Sequence, residues 1–232
     1  MSSFAHPEAN IVPCSSRFLD LECASKIYPY QGTEQFWKIW DDESRNLRNG
    51  IQDSEWVLFS GVNKDAFDRD FLNSSDDIML KNWSSYDRNT RLLLVKMPAS
   101  NEHEIARSAF DYIMGMKRRA MGLSIALLSG LNTTRYGDDG SSKQPDGQYF
   151  PARLPQSRTP SRDWPTVVLE IAVSEGPSKL ISDVRWWIRQ HNGATGIVLT
   201  LRVDRNTPKI TLEKWTRGEQ GHPQQESTTG RL

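Results

Sequence analysis

Apolar residues fall into short blocks separated by long polar stretches, and the spacing inside the blocks changes along the chain. Phe36, Trp37 and Trp40 stand at helical spacing, which predicts a helix over 33–47 with Thr33 as its N-cap. Trp56 to Phe59 predicts a short strand. The stretch 63–89 is rich in Asp, Asn and Ser and predicts loop with short helical turns. Leu92 to Val95 is a second short strand. From there the period becomes 3.6: Ile105, Ala109, Tyr112, Ile113, Met116, Ala120, Leu123 and Leu127 mark about six turns of amphipathic helix. Two outcomes stay open at its end. The helix runs on to Leu127, or Gly122 breaks it and Leu123–Leu128 forms a strand. A capping box at Ser100 fails, because the residue three positions on is His103.

The second half reads more regularly. Gln144–Phe150 is a strand carrying Asp146. Pro151–Asp163 is a Pro- and Arg-rich loop. Thr166–Val173 is apolar on both faces apart from Glu170, the pattern of a central strand. Ser178–His191 is a helix with Leu180, Val184, Trp187 and Ile188 inward and Gly193 as its stop. Ile197–Val203 and Lys209–Trp215 are strands, joined by a turn at Asp204–Pro208. The strand–helix–strand step over 166–203 implies a right-handed crossover and a parallel pair. The flanking hairpins imply antiparallel neighbours. The expected class is therefore α/β with a mixed sheet. Residues 1–90 form a helical or irregular N-terminal extension packing on the core, 91–216 form the core, and 217–232, rich in Gln, Gly and Ser, form a disordered tail. Residues 1–15 are expected to be unstructured as well.

Composition narrows the function classes. The chain has 232 residues, with Lys+Arg and Asp+Glu both at 29. A net charge of zero removes the global field that would draw nucleic acid or a membrane, while leaving room for a local basic groove. Cys14 and Cys23 have no second pair, which argues against a disulfide framework or a structural zinc site. The N-terminus lacks the pattern of a secretory signal, and no apolar run approaches the roughly 18 residues of a membrane span. An intracellular location, nuclear or cytoplasmic, is expected.

Glu170 is the residue that asks for chemistry. A charge in a buried strand costs on the order of several kcal/mol unless a cation, a hydrogen-bond network or a metal compensates it. Asp146 lies on the adjacent strand. Two carboxylates with a backbone carbonyl form a hard oxygen site that suits magnesium, and such an ion polarises a phosphoryl oxygen and activates water.

Pro145–Asp146, a spacer, and Glu170 in an apolar strand followed by a helix resemble the PD-(D/E)XK nuclease superfamily, the restriction endonuclease-like fold. The resemblance covers roughly residues 101–215. The fragments KMPASNEHE, KQPDGQYFP, WPTVVLEIAVSE and KLISDVRWW are also similar to a group of uncharacterised fungal proteins with this pattern. The resemblance implies a core of helix, three strands, helix and strand. It implies that Asp146 and Glu170 hold Mg2+ or Mn2+, and that Glu104 matches the acidic residue many members carry on the first helix. It implies a nucleic-acid partner, DNA ahead of RNA, and a homodimer where both strands are cut.

The chain departs from the pattern at one place. The family's Glu-x-Lys puts lysine at position 172, and this chain has Ala172. Lys179 on the following helix is the substitute the sequence offers for acting on the attacking water. It shares a helical stripe with Asp183, Trp186 and Gln190. Lys143 is a second candidate. His103 beside Glu104 is either a group supporting the site or a first-turn residue. Arg153, Arg158 and Arg162 are candidate phosphate contacts. Trp186 and Trp187 cannot both face one core, so one is expected to be covered by another segment, the N-terminal third being the candidate. No GxSxG elbow and no glycine-rich phosphate loop is present. Two readings follow: a metal-dependent endonuclease, or a degenerate relative that binds nucleic acid or a protein.

Overall fold

The computed structural model describes residues 26–51, 55–97, 101–130, 133–153, 164–173, 177–204, 206–207 and 209–231. The expectations for residues 1–15, Cys14, Cys23, Ser100, Arg158 and Arg162 lie outside them. Among the described residues no helix is long and apolar enough to cross a membrane. The fold is mixed α/β, and the chain divides into two compact units. The first holds the described residues up to 97 together with 139–143; the second holds 101–138 and everything from 144 on.

The first unit runs β1 (Ile27–Pro29), α1 (Thr33–Arg48), β2 (Trp56–Ser60), α2 (Lys64–Phe67), a π-helical turn (Asp68–Leu72), α3 (Asp77–Lys81), β3 (Trp83–Asp87) and β4 (Leu92–Lys96). The chain then supplies β5 (Leu127–Ser129) and β6 (Arg135–Tyr136) before returning with β7 (Ser141–Lys143). β1 pairs parallel with β2, β2 antiparallel with β4, β4 with β3, and β3 with β7. Val57, Leu58 and Phe59 in β2 and Leu93, Leu94 and Val95 in β4 are all buried, as befits central strands covered on both faces. Phe36, Ile39 and Trp40 on α1 recur at helical spacing and enter one aromatic cluster with Phe59, Phe67, Phe71, Trp83 and Tyr86. Tyr86 stacks on Phe67 with ring centroids 3.8 Å apart.

Three expectations are corrected here. The region before residue 91 is not an irregular extension but a unit with its own sheet, and β4 belongs to it, so the boundary falls after 97 rather than after 90. Within 63–89 the strand β3 was hidden by its composition, WSSYD, because its buried side chains include Ser85 and Asp87 as well as Trp83 and Tyr86. The N-cap of α1 is Gly32, not Thr33, and no side chain caps it.

The second unit contains α4 (Asn101–Ala120), β5, β6, β8 (Gly147–Pro151), β9 (Val167–Val173), α5 (Pro177–Arg189), β10 (Ile197–Val203), β11 (Lys209–Arg217) and β12 (Pro223–Arg231). One sheet runs β12-β11-β10-β9-β8-β5. β9 and β10 are parallel, as the α5 crossover requires, and the other neighbours are antiparallel. β9 alternates between two cores. Leu169 and Ile171 meet Ala106, Tyr149 and Leu201 on the α4 side. Val168 meets Val184, Trp187, Ile188, Val198 and Trp215 on the α5 side. The chain leaves α5 through three left-handed residues, His191, Asn192 and Gly193.

Further differences from the sequence reading appear in this unit. The segment expected to be a disordered tail forms β12, paired along its length with β11. An edge strand needs backbone partners and no apolar face, so a Gln-, Ser- and Thr-rich stretch can fill the place. Helix α4 stops at Ala120 and Gly122 takes a positive φ of 70°, which settles its end in favour of a break with a short strand β5 beyond. The stripe of α4 that faces the sheet is His103, Ala106 and Phe110. The more apolar stripe, Ile105, Tyr112, Ile113 and Met116, is exposed. Trp186 and Trp187 are both buried. The segment covering them is Trp164, just ahead of β9, with ring centroids 5.6 Å from each.

Candidate functional site

Asp146 sits at the bend ahead of β8. Gly147 pairs with Leu169, so Asp146 lies one step past the ladder, opposite Glu170. There it takes over the work of a strand: its Oδ2 accepts the backbone N–H of Ile171 at 2.7 Å. Its Oδ1 lies 3.1 Å from His103 Nε2. His103 is buried in the first turn of α4, and its Nδ1 is 3.4 Å from Glu104 Oε1, whose side chain is 58% exposed. Asp146 is thus held from two directions, by the backbone of β9 and by α4. Glu104 reaches the group through His103.

Glu170 is held by the other helix. Its Oε1 accepts Trp187 Nε1–H at 2.5 Å, and Trp187 is fully buried. One and two turns earlier on α5 stand Asp183 and Lys179, buried and ion-paired with each other. Lys179, Asp183 and Trp187 follow at i, i+4 and i+8, so they share the stripe that meets the sheet. Trp186 and Gln190, the other members of the expected stripe, are buried too, and Trp186 shares one core with Trp187. Lys143, the other basic candidate, belongs to the first unit, where its Nζ donates to Ser85 Oγ at 2.9 Å. Arg153 is exposed.

Glu170 also heads a polar row across the sheet. It stands in register with Thr200, and Thr200 with Glu213. Thr200 Oγ1 donates to Glu213 Oε2 at 3.1 Å and accepts Trp215 Nε1–H at 3.1 Å. Directly opposed residues in a sheet share a face, so Glu170, Thr200 and Glu213 form one line of oxygens beneath α5. One step further along the same face, Ala172 is in register with Arg202, and Arg202 with Thr211. A guanidinium therefore lies beside the position where the resemblance expects lysine. Arg202 Nη2 is 3.5 Å from Glu213 Oε1, while its Nε is buried with no hydrogen-bond partner among the described residues. Ala172, Arg202, Asp204, Lys209 and Thr211 line an open recess of about 330 Å³ at the carboxyl ends of the parallel strands. The Asp204 carboxyl is held below its usual range by the Asn206 N–H and then the Thr207 hydroxyl, so the recess keeps one fixed negative group.

Sequence reasoning missed Arg202. A parallel pairing of β9 and β10 is expected, but direction alone leaves open which residue stands beside position 172 until the register is known. It also left His103 undecided, and burial against Asp146 places it with the site. Asp146 and Glu170 are neighbours in the sheet whose partners come from helices on opposite faces. Among the described residues no group of three or more His, Cys, Asp or Glu is gathered for a metal ion. The donor types suit magnesium, which binds through one or two carboxylates and keeps several waters, while in this arrangement the two carboxylates are drawn to opposite faces rather than to one point.

No family model matches the chain, and no curated protein matches it.

Proposed function

We propose that the second unit is a magnesium- or manganese-dependent nuclease of the PD-(D/E)XK kind, acting on DNA ahead of RNA. The observation that carries this reading is the register that sets Asp146 opposite Glu170 where β8 leaves β9, inside the element order α4, β5, β6, β7, β8, β9, α5, β10, of which β5, β8, β9 and β10 share one sheet. With β6 and β7, which belong to the other sheet, set aside, that order and its one parallel pair are what a restriction endonuclease-like core would have.

Asp146 and Glu170 would hold the ion, which when bound polarises the phosphoryl oxygen and lowers the pKa of water. The remaining work falls to the chain. Ile171 N–H and His103 fix the rotamer of Asp146, and Trp187 fixes Glu170. Water attacks phosphorus in line, a P–O bond forms, the ester P–O bond breaks, and the departing oxygen takes a proton. Lys179, which the sequence offers for the attacking water, is engaged with Asp183 in the core, so its role in this reading is to stabilise the α5 face. Arg202, beside Ala172, is the cation that meets the phosphate.

Purified protein is incubated with single- and double-stranded DNA and RNA in Mg2+ or Mn2+, beside Asp146→Ala, Glu170→Ala and Arg202→Ala. Cleavage by the wild type alone, with Mg2+ affinity lost in both carboxylate variants and retained in Arg202→Ala, supports the reading. Absence of cleavage with any substrate, together with unchanged metal affinity in the carboxylate variants, overturns it.

Ala172 favours a second reading, a relative that binds nucleic acid without cutting it. Salt-dependent DNA binding that Arg202→Ala weakens, with no turnover in either metal, is its signature.

A further inference from the structure

Helix α4 carries a second apolar stripe that its own sheet does not use. Ile105, Tyr112, Ile113 and Met116 are between 53% and 69% exposed. The first, second and fourth of these, with Ala109 between them, repeat at i, i+4, i+7 and i+11, the seam of a coiled coil. Extending the same spacing one position each way reaches Glu102 at the start and Arg119 at the end, both exposed.

The six positions Glu102, Ile105, Ala109, Tyr112, Met116 and Arg119 have a property that bears on the partner. Laid antiparallel against itself about a two-fold axis at the middle of the helix, the stripe is self-complementary. Glu102 falls level with Arg119 of a second copy, Ile105 with Met116, and Ala109 with Tyr112. Small Ala109 opposite large Tyr112 lets the backbones approach, and each end of the seam closes with opposite charges. The rest of the helix agrees, with Glu102 and Glu104 in its first turn and Lys117, Arg118 and Arg119 in its last. Parallel packing would set like charges level and lose these pairs.

We propose that this face of α4 is the docking surface for a second copy of the chain, in an antiparallel, two-fold symmetric helix pair centred between Phe110 and Asp111. A two-fold interface requires one patch that complements itself, and this stripe meets that requirement in both shape and charge. The proposal stands apart from the nuclease reading, since none of the apolar seam residues touches Asp146 or Glu170.

Sedimentation equilibrium of the full chain tests it, with circular dichroism checking the fold. The wild type is expected to be a dimer. Tyr112→Glu is expected to raise the dissociation constant by about 100-fold or more, since it puts a charge in the seam opposite Ala109. Glu102→Arg and Arg119→Glu each place like charges level and are expected to weaken the dimer about 5- to 10-fold, while the double swap in one chain restores it. Because Tyr112, Glu102 and Arg119 are exposed in the single chain, loss of fold is not the expected cause. Failure of the double swap to restore association overturns the antiparallel register. A wild type that stays monomeric at high concentration, whether another segment of this chain or a different protein covers the stripe, overturns the proposal.

Discussion

The two units bury polar groups in different ways. In the first, an aromatic core is built from Phe36, Trp40, Phe59, Phe67, Phe71, Trp83 and Tyr86, and its carboxylates are answered by hydroxyls and cations nearby. Glu43 accepts from Tyr28 at 2.7 Å and from Lys26 at 2.9 Å, and Asp70 accepts from Tyr30 at 2.6 Å and from Arg69 at 2.7 Å. These bonds tie strand β1 and the segment after it to the helices, so they read as construction. Burial opposes the charge on Asp70, but the Arg69 and Tyr30 hydrogen bonds outweigh it and hold its carboxyl below the usual range. In the second unit, Glu170, Thr200, Glu213, Lys179 and Asp183 occupy the middle of the layer between sheet and α5. Apolar residues of similar size would often stabilise such a layer as well or better. Charges kept where packing does not need them are the physical ground for looking for function in the second unit.

The largest effect that would sharpen this contrast is Phe36→Ala. It should cost the first unit about 3–5 kcal/mol through the cavity left among Trp40, Phe59 and Phe71. Urea unfolding followed by hydrogen exchange should show the loss confined to the first unit's amides. Lys179→Met comes next. If the Lys179–Asp183 pair is structural, the second unit should lose on the order of 3 kcal/mol, because Asp183 keeps its charge in the core. A variant with unchanged stability and abolished activity would instead return Lys179 to the chemistry.

Trp187→Phe keeps most of the volume but removes the donor to Glu170, at a cost of about 1–3 kcal/mol. Glu170→Gln keeps an acceptor for Trp187, so its melting temperature should move little while metal binding is lost. A large drop in melting temperature for Glu170→Gln would make Glu170 a structural residue and erase the contrast.

A last test is alkaline. Burial, reinforced by Glu43 and Asp70, raises the Tyr28 and Tyr30 phenols, and burial pushes Tyr86 up to about 12. In the second unit burial and Asp111 raise Tyr149 in the same direction. A phenol raised in the folded state contributes stability that is complete below its unfolded pKa of 10.0 and is lost as pH climbs toward the folded value. Three such groups against one predict that the first unit loosens first between pH 10 and 12, which hydrogen exchange across that range would read.

Much of the second unit was legible from the chain. Period 3.6 located α4 and α5, and continuous apolar runs located β9 and β10. The Glu170 anomaly was visible because a lone carboxylate interrupts an otherwise buried strand. The first unit was less legible because its strands are short and partly polar, and aromatic residues scattered over 63–89 gave no period. Residues such as Trp83 and Tyr86 became a core only once distant segments met. The seam of α4 shows the limit from the other side. Its apolar period located the helix but left its rotation open, because a helix with two apolar stripes fits a sheet in more than one rotation; the stripe that meets the sheet is His103, Ala106 and Phe110.

By itself, the sequence determined the α/β class, the step from β9 through α5 to β10 and the suspicion that falls on Asp146 and Glu170. These follow from local rules: period, punctuation and the cost of a buried charge. Only the tertiary structure decided that His103 and Ile171 N–H hold Asp146, that Trp187 holds Glu170, and that Arg202 stands beside Ala172. Those pairings depend on strand register and helix rotation, which are set by the packing of residues far apart in the chain.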